Sequence, residues 1–382
     1  MTRFLFFQPV TRNSQHQEMK LNIPDYISAI KPYVPGKPID AVQREYGIEN
    51  SIKLASNENP LGPSPMAVDA IRQALDNLHR YPDAGGYHLI RAIAEKFDID
   101  PANIVLGNGS DDIIALLVSV LLRPSDEVIL PQPSFLFYEI ALRSLGAQPV
   151  WVPLQAFKTD LAAMVAKISS KTRMIFLNVP HNPAGTIISK SEFENFIAQI
   201  PPDVVTVLDE AYIEFVKDPD CTNSFDFLTG DKAIVGMRTF SKAYGLAGLR
   251  VGYGAMPPVL AELLHRVRQP FNVNVLAQVA ATAALQDSDF LQKTLQLVHS
   301  ERELMYSALD DLDLPYIRSE ANFFMIDVGS RGKSANDVFK KLLPLGVIVR
   351  SMASYGYPQH MRVNIGKPEE NIRFLEALEQ VL

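Results

Sequence analysis

Only one cysteine, Cys221, stands among 382 residues. A lone thiol closes no intrachain disulfide, and no Cys/His cluster has metal-ligand spacing, so a disulfide-stapled secreted scaffold and a zinc module are both excluded. Long hydrophobic runs are missing too. The longest, IIALLVSVLL at Ile113–Leu122, is about half of what spans a bilayer and reads as a buried helix. The apolar burst in the N-terminal MTRFLFFQPVTRNSQHQ is shorter than a secretory core, and no small-residue cleavage site follows it. Positive charge is in deficit: 36 Lys and Arg against 43 Asp and Glu leave a net −7, which argues against a general nucleic-acid binder. Neither a GxxxxGK[ST] nor a G-x-G-x-x-G phosphate loop is present, so a nucleoside triphosphate or dinucleotide gains no support. These absences point to a cytoplasmic protein with a small-molecule partner, without nucleic acid and without membrane.

With 47% apolar residues, the chain can build one large domain and a smaller one. From Asn103 onward, short β-branched runs alternate with helical patterns: VIL near Val128, PVWVPL near Val150, MIFLN at Met174–Asn178, VVTVLDE at Val204–Glu210 and AIVGM at Ala233–Met237. Strands apolar almost throughout predict a mostly parallel sheet buried on both faces, hence an α/β fold. Ligands of such sheets sit beyond the carboxyl ends of the strands, which makes Asn178–Asn182, Asp209–Tyr212 and Thr239–Lys242 the first suspects. The last hundred residues read as a smaller α+β domain: a helix over Asp289–Leu312, then strands at Phe323–Val328, Val347–Ser351 and Met361–Ile365. The expected division is an N-terminal arm with part of the small domain (1–60), a large domain (61–285) and a small C-terminal domain (286–382).

The stretch TFSKAYGLAGLRVGYG, Thr239–Gly254, sets Lys242 between small hydroxyl residues, adds glycines and Arg250, and contains no carboxylate. Such a run suits a backbone approaching an anion better than a packed element. GNGSDD, Gly107–Asp112, follows a short strand and opens the apolar helix, so its N–H groups and the helix dipole form an anion cup; simple N-capping by Ser110 is the competing reading. Asp209 ends an apolar strand, where burial raises its pKa unless a cation or hydrogen bonds keep it ionised. Tyr212 would place a phenol in the same crevice. NVPHNPAGT, Asn178–Thr186, is a rigid turn that holds Asn182 as a fixed donor. A lysine becomes nucleophilic toward carbonyls when burial and nearby cations depress its pKa. Lys242 for a Schiff base, an anion cup with Arg250 for a phosphate and Asp209 for a pyridinium nitrogen together describe a site for pyridoxal 5′-phosphate.

These motifs, in order with KPYVPGKP, KLASNENPLGPSP, RYPD, DEAYIEF, NFFMID, VIVRSM and MRVNIG, resemble the fold-type I, class I/II pyridoxal-phosphate-dependent aminotransferases over nearly the whole chain from about Lys31. The resemblance implies a large domain with a mostly parallel seven-stranded sheet and a smaller α+β domain. It assigns Lys242 to the cofactor aldehyde and to proton transfer, Asp209 to the pyridine nitrogen, Asn182 and Tyr212 to the phenolic oxygen, and Phe135 to stacking on the ring. The phosphate falls to backbone at Ser110 and Asp111 with Thr239, Ser241 and Arg250. Tyr81 would reach the neighbouring subunit's cofactor, which implies a homodimer with shared sites. Arg362 would bind substrate anions, with Arg350 a second candidate and Tyr33 and Asn59 closing over the substrate. Within the family the similarity is to members that act on L-histidinol phosphate with glutamate and 2-oxoglutarate. Aromatic amino-acid transamination and decarboxylation of threonine phosphate stay open as alternatives.

Overall fold

The computed structural model describes residues 21–32 and 36–382. The N-terminal apolar burst and Tyr33 lie outside the described residues. β1 (Ile52–Lys53) stands apart from the main sheet. The main sheet contains β2 (Ile104–Gly107), β3 (Glu127–Gln132), β4 (Gln148–Pro153), β5 (Thr172–Asn178), β6 (Val205–Asp209), β7 (Ile234–Thr239) and β8 (Gly252–Ala255), in the spatial order β2-β8-β7-β6-β5-β3-β4. All neighbours are parallel except β8, which runs antiparallel to both β2 and β7.

The near-continuous apolar character of the central strands has a direct cause, since successive residues feed two separate cores. On β5, Met174 and Phe176 join one cluster while Ile175 and Leu177 join the other. The first core packs under the helices Ser110–Leu121, Leu136–Ser144 and Pro258–Val267, the second under Leu161–Ala166 and Lys190–Ile197. Each fully buried large side chain contributes about 1.5–3 kcal/mol. An α/β sheet covered on both faces leaves only its strand ends available for polar chemistry.

The sequence reading of one motif fails. The second half of the Thr239–Gly254 run is a packed element: Gly252–Ala255 is a wholly buried strand filling the gap between β2 and β7. The glycines serve close backbone packing there, because a Cβ on Gly252 would lie 2.7 Å from the Ser110 nitrogen. Only residues 240–250 form an open loop around the short turn Ala247–Leu249.

Beyond the helices Val275–Gln286 and Ser288–Asp311, β9 (Tyr316–Ile317), β10 (Phe323–Asp327), β12 (Arg350–Ser351) and β13 (His360–Asn364) make an antiparallel sheet in the order β12-β13-β10-β9. Val347–Ser351, expected as one strand, is two. β11 (Val347–Ile348) pairs in parallel with β1, and the chain then passes to β12 in the four-stranded sheet. The segment near residue 52 is thereby tied to the C-terminal third of the chain.

Candidate active site

The parallel ladders set the level of the polar residues. Asn178 of β5 lies opposite Asp209 of β6, and Asp209 opposite Met237 of β7, so the loops that follow these strands open on one edge. A cavity of about 200 Å³ sits there. Its walls bring together Ser110, Asp111, Phe135, Asn182, Asp209, Tyr212, Thr239, Ser241, Lys242 and Arg250, ten of the residues singled out from sequence. They come from five separate stretches of chain: 110–111, 135, 182, 209–212 and 239–250.

Lys242 is held against the cavity wall by one hydrogen bond, from its Nζ to the Ser56 carbonyl at 3.1 Å. Burial, followed by the neighbouring Arg362 guanidinium, brings its pKa down to about 8. An appreciable fraction of the amine is therefore neutral near pH 7–8, as attack on a carbonyl requires. Tyr212 is buried beside it and accepts a hydrogen bond from Asn57 Nδ2 at 2.9 Å, which leaves its own proton available.

Asp209 is 5% exposed, and burial pushes its pKa up to about 6. Among the described residues it has no cationic partner. It is instead hydrogen-bonded at both oxygens: the Tyr138 hydroxyl donates to Oδ2 at 2.5 Å and the Ala211 N–H to Oδ1 at 3.1 Å. Each oxygen keeps a lone pair for a further donor from the cavity side. Sequence reasoning did not find Tyr138; Asn178, whose Nδ2 donates to the Tyr138 oxygen at 2.7 Å, was among the strand-end suspects but without this role. The available signal was a tyrosine one helical turn beyond Phe135.

The other end of the cavity is built for an anion. The helix Ser110–Leu121 begins at Ser110 itself; its N-cap is Gly109, so Ser110 does not cap it, and no side chain closes its first N–H groups. Arg250, with φ +56°, points its fork there, and Nη2 reaches the Asp111 carboxylate at 3.3 Å. Gly109 leaves the space for this: with φ +83°, a Cβ on it would stand 2.5 Å from Arg250 Nη2. The Thr239 hydroxyl donates to Ser241 Oγ at 3.0 Å, and Arg250 Nη1 reaches the same oxygen at 3.4 Å. An amine, a carboxylate with open lone pairs and a guanidinium at an uncapped helix start fit the three reactive ends of pyridoxal 5′-phosphate.

Arg362 lies at the cavity's border, 7% exposed, with Nη1 donating to Asn182 Oδ1 at 2.6 Å and Nη2 to the Ala55 carbonyl at 3.0 Å. Arg350 is its direct cross-strand partner. Like charges placed opposite one another are unfavourable without an anion between them. Arg350 nevertheless faces a different cavity, of about 580 Å³, between residues 29–32 and the helix Leu136–Ser144. Asn59 braces a loop: its amide donates to the Ala243 carbonyl at 2.9 Å and the Thr294 hydroxyl at 3.1 Å, and its oxygen accepts from the Leu61 N–H, which leaves one acceptor lone pair. Its neighbours Ser56 and Glu58 line the cavity instead. Tyr81 is not among the residues that line its own chain's cavity; it is 82% exposed and stacked on Phe271 at 4.6 Å.

Comparison with known proteins agrees with this geometry. The family model described as aminotransferase class I and II matches residues 49–378. The histidinol-phosphate aminotransferase of Moorella thermoacetica is 45% identical over 93% of this chain and 92% of its own length. Histidinol-phosphate aminotransferase 1 of Nitrosococcus oceani is 46% identical over 93% and 95%. Among solved structures, histidinol-phosphate aminotransferase from Sinorhizobium meliloti in complex with pyridoxal-5′-phosphate superposes with a TM-score of 0.87 at 26% identity, covering 96% of this chain and 99% of that one. On this sequence and structural evidence, the chain belongs to the class I and II aminotransferases.

Proposed function

We propose that this protein moves the amino group of L-histidinol phosphate to 2-oxoglutarate, reversibly, giving imidazole acetol phosphate and L-glutamate, with pyridoxal 5′-phosphate as cofactor. The observation that carries the chemistry is the Lys242 amine, brought down to about 8 in the same cavity as Asp209 and Arg250. The choice of substrate is supported by the names of relatives 45–46% identical over nearly their whole length.

When bound, the cofactor supplies an aldehyde and an electron-withdrawing ring. The chain's own residues do the rest. Lys242 Nζ would hold the aldehyde carbon and, once the substrate amine displaces it, would carry the proton between the substrate's α-carbon and the former aldehyde carbon. Asp209 keeps the ring nitrogen protonated, and the Tyr212 hydroxyl and Asn182 Nδ2 donate to the phenolic oxygen. Arg250, the Ser241 and Thr239 hydroxyls and the N–H groups at the Ser110 helix start hold the phosphate. Arg362 presents a planar fork that accepts a carboxylate or a phosphate ester bidentately, so one site can serve both halves of a ping-pong cycle.

The working form under this reading is a homodimer in which Tyr81 completes the partner's phosphate site. Its exposure and its stacking on Phe271 at the surface support that role. Mixing Lys242→Ala chains with Tyr81→Ala chains should recover turnover that neither has alone, and absence of recovery would refute the sharing. The substrate reading is tested by comparing kcat/KM for histidinol phosphate with that for phenylalanine at saturating 2-oxoglutarate. A preference for phenylalanine overturns it.

A further inference from the structure

We propose that Tyr138 is a positioning residue that sets the charge of Asp209, through a directed line of hydrogen bonds Ser134 → Asn178 → Tyr138 → Asp209. The role in turnover rests on the pyridoxal-phosphate reading above, but the line itself is a property of the protein alone.

Each link fixes the direction of the next. The Ser134 hydroxyl donates to Asn178 Oδ1 at 2.8 Å, and the amide's orientation is fixed from the other end of the line, where the ionised Asp209 carboxylate can only accept. Asn178 Nδ2 must then point at Tyr138, and it donates to the phenol oxygen at 2.7 Å. With its oxygen engaged by a donor, the phenol commits its single proton to Asp209 Oδ2 at 2.5 Å. The phenol has no freedom to turn away. It is fully buried, stacked on Phe176 at 4.5 Å and 18°, and meets Phe135 edge-on at 5.6 Å and 88°. The β5–β6 register, Asn178 opposite Asp209, holds the two ends of the line level.

A buried carboxylate without a cation is driven toward its neutral form, and a donor committed to the charged form opposes this. Other charged groups around Asp209 do not supply that opposition. Asp111 and Glu210 push in the same direction as burial, and Glu210 is itself paired with Arg238 at 2.9 Å. Lys242, which lines the same cavity, donates to the Ser56 carbonyl and not to Asp209. Tyr138 is therefore the main contributor to keeping Asp209 ionised, and an ionised Asp209 is what leaves the shared proton on a ring nitrogen. A merely satisfied core tyrosine would have no such consequence.

Tyr138→Phe keeps both ring contacts and removes only the hydroxyl. In the apoprotein labelled with 13Cγ-aspartate, the Asp209 titration midpoint should rise by about one pH unit from its wild-type value near 6. Ser134→Ala should move it the same way by less. With 15N-labelled pyridoxal phosphate bound, the ring-nitrogen resonance of Tyr138→Phe should move from the pyridinium toward the pyridine position, and kcat should fall about ten-fold with KM little changed. An unchanged midpoint and an unchanged ring-nitrogen resonance overturn the proposal. If Tyr138→Phe does not fold, Ser134→Ala, outside the phenol's packing, decides by the same midpoint: no upward shift overturns it. If the wild type takes up no cofactor, the preceding functional reading fails while the apoprotein titration still judges this one.

Discussion

Asp209→Asn separates the energetic cost of the buried charge from everything else at that position. The carboxyl pKa is raised from an ordinary 3.8 to about 6 by burial. A raised carboxylate contributes stability that is present below the unfolded value and lost as pH climbs through the folded value. A rise of about two pH units, each worth about 1.4 kcal/mol, puts the loss at about 3 kcal/mol between pH 4 and pH 7. Asparagine has no proton to lose, so its variant should lack this component. It does misplace a donor against the Tyr138 hydroxyl or the Ala211 N–H, but that mismatch is a constant offset without pH dependence. Urea unfolding of the two apoproteins across pH 4–7 isolates the difference, because every other titrating group is shared. The wild type should fall relative to the variant by about 3 kcal/mol over that range. Saturation with pyridoxal phosphate should flatten the fall, since a protonated ring nitrogen supplies the cation that the apoprotein lacks. Stability curves that stay parallel would refute the reasoning from burial.

Three other outcomes follow from the same geometry. Lys242→Ala should leave the far-ultraviolet circular dichroism intact, abolish the visible absorption of the bound cofactor and its borohydride trapping, and lower turnover by about a thousand-fold or more. Gly109→Ala puts a Cβ 2.5 Å from Arg250 Nη2 at φ +83°; it should weaken pyridoxal phosphate binding about ten-fold, measured by fluorescence titration, while leaving the affinity for phosphate-free pyridoxal nearly unchanged. Arg362→Lys loses the fork that spans Asn182 and Ala55, and KM for glutamate and for histidinol phosphate should both rise about ten- to a hundred-fold in steady-state assays.

How much of this was readable in advance depends on whether the deciding partner was local. The strands β3 to β7 were legible because burial on both faces demands apolar residues throughout, and strand ends then nominated Asp209, Asn182 and Lys242 without any knowledge of the third dimension. Gly252–Ala255 was misread because glycines that permit backbone contact with Ser110 look the same in sequence as glycines in a phosphate loop. The two halves of Val347–Ser351 were read as one strand because apolar periodicity does not encode a change of sheet. The bracing role of Asn59 was hidden for a similar reason: the groups that occupy its amide belong to Ala243 and Thr294, remote in sequence. Tyr138 was invisible because a core tyrosine and a charge-setting one differ only in what their hydroxyl meets.

One physical cause, removal from water, acts in opposite senses on the carboxylate and the amine of the cavity. It raises Asp209 to about 6 and lowers Lys242 to about 8, so both groups are drawn toward neutrality near the pH at which each must work. The fold does not relieve this by pairing them with each other; Asp209 takes hydrogen bonds from a phenol and a backbone N–H, and Lys242 rests on a carbonyl. Arg250 meanwhile meets the neutral Ser241 hydroxyl and Ala247 carbonyl and one carboxylate, Asp111, which is partly exposed and itself pushed toward protonation by burial. In the apoprotein the Asp209 carboxylate thus has no cation among the described residues, while Arg250 has a single, weakly ionised carboxylate beside it. A ligand with a cationic ring nitrogen at one end, an anionic phosphate at the other and an aldehyde between them answers all three positions at once, and a reversed orientation would set like charge against like at both ends. The site therefore dictates the polarity of the cofactor before any contact with substrate is made, and the stability that the apoprotein forgoes returns as ligand-linked stabilisation when the cofactor binds.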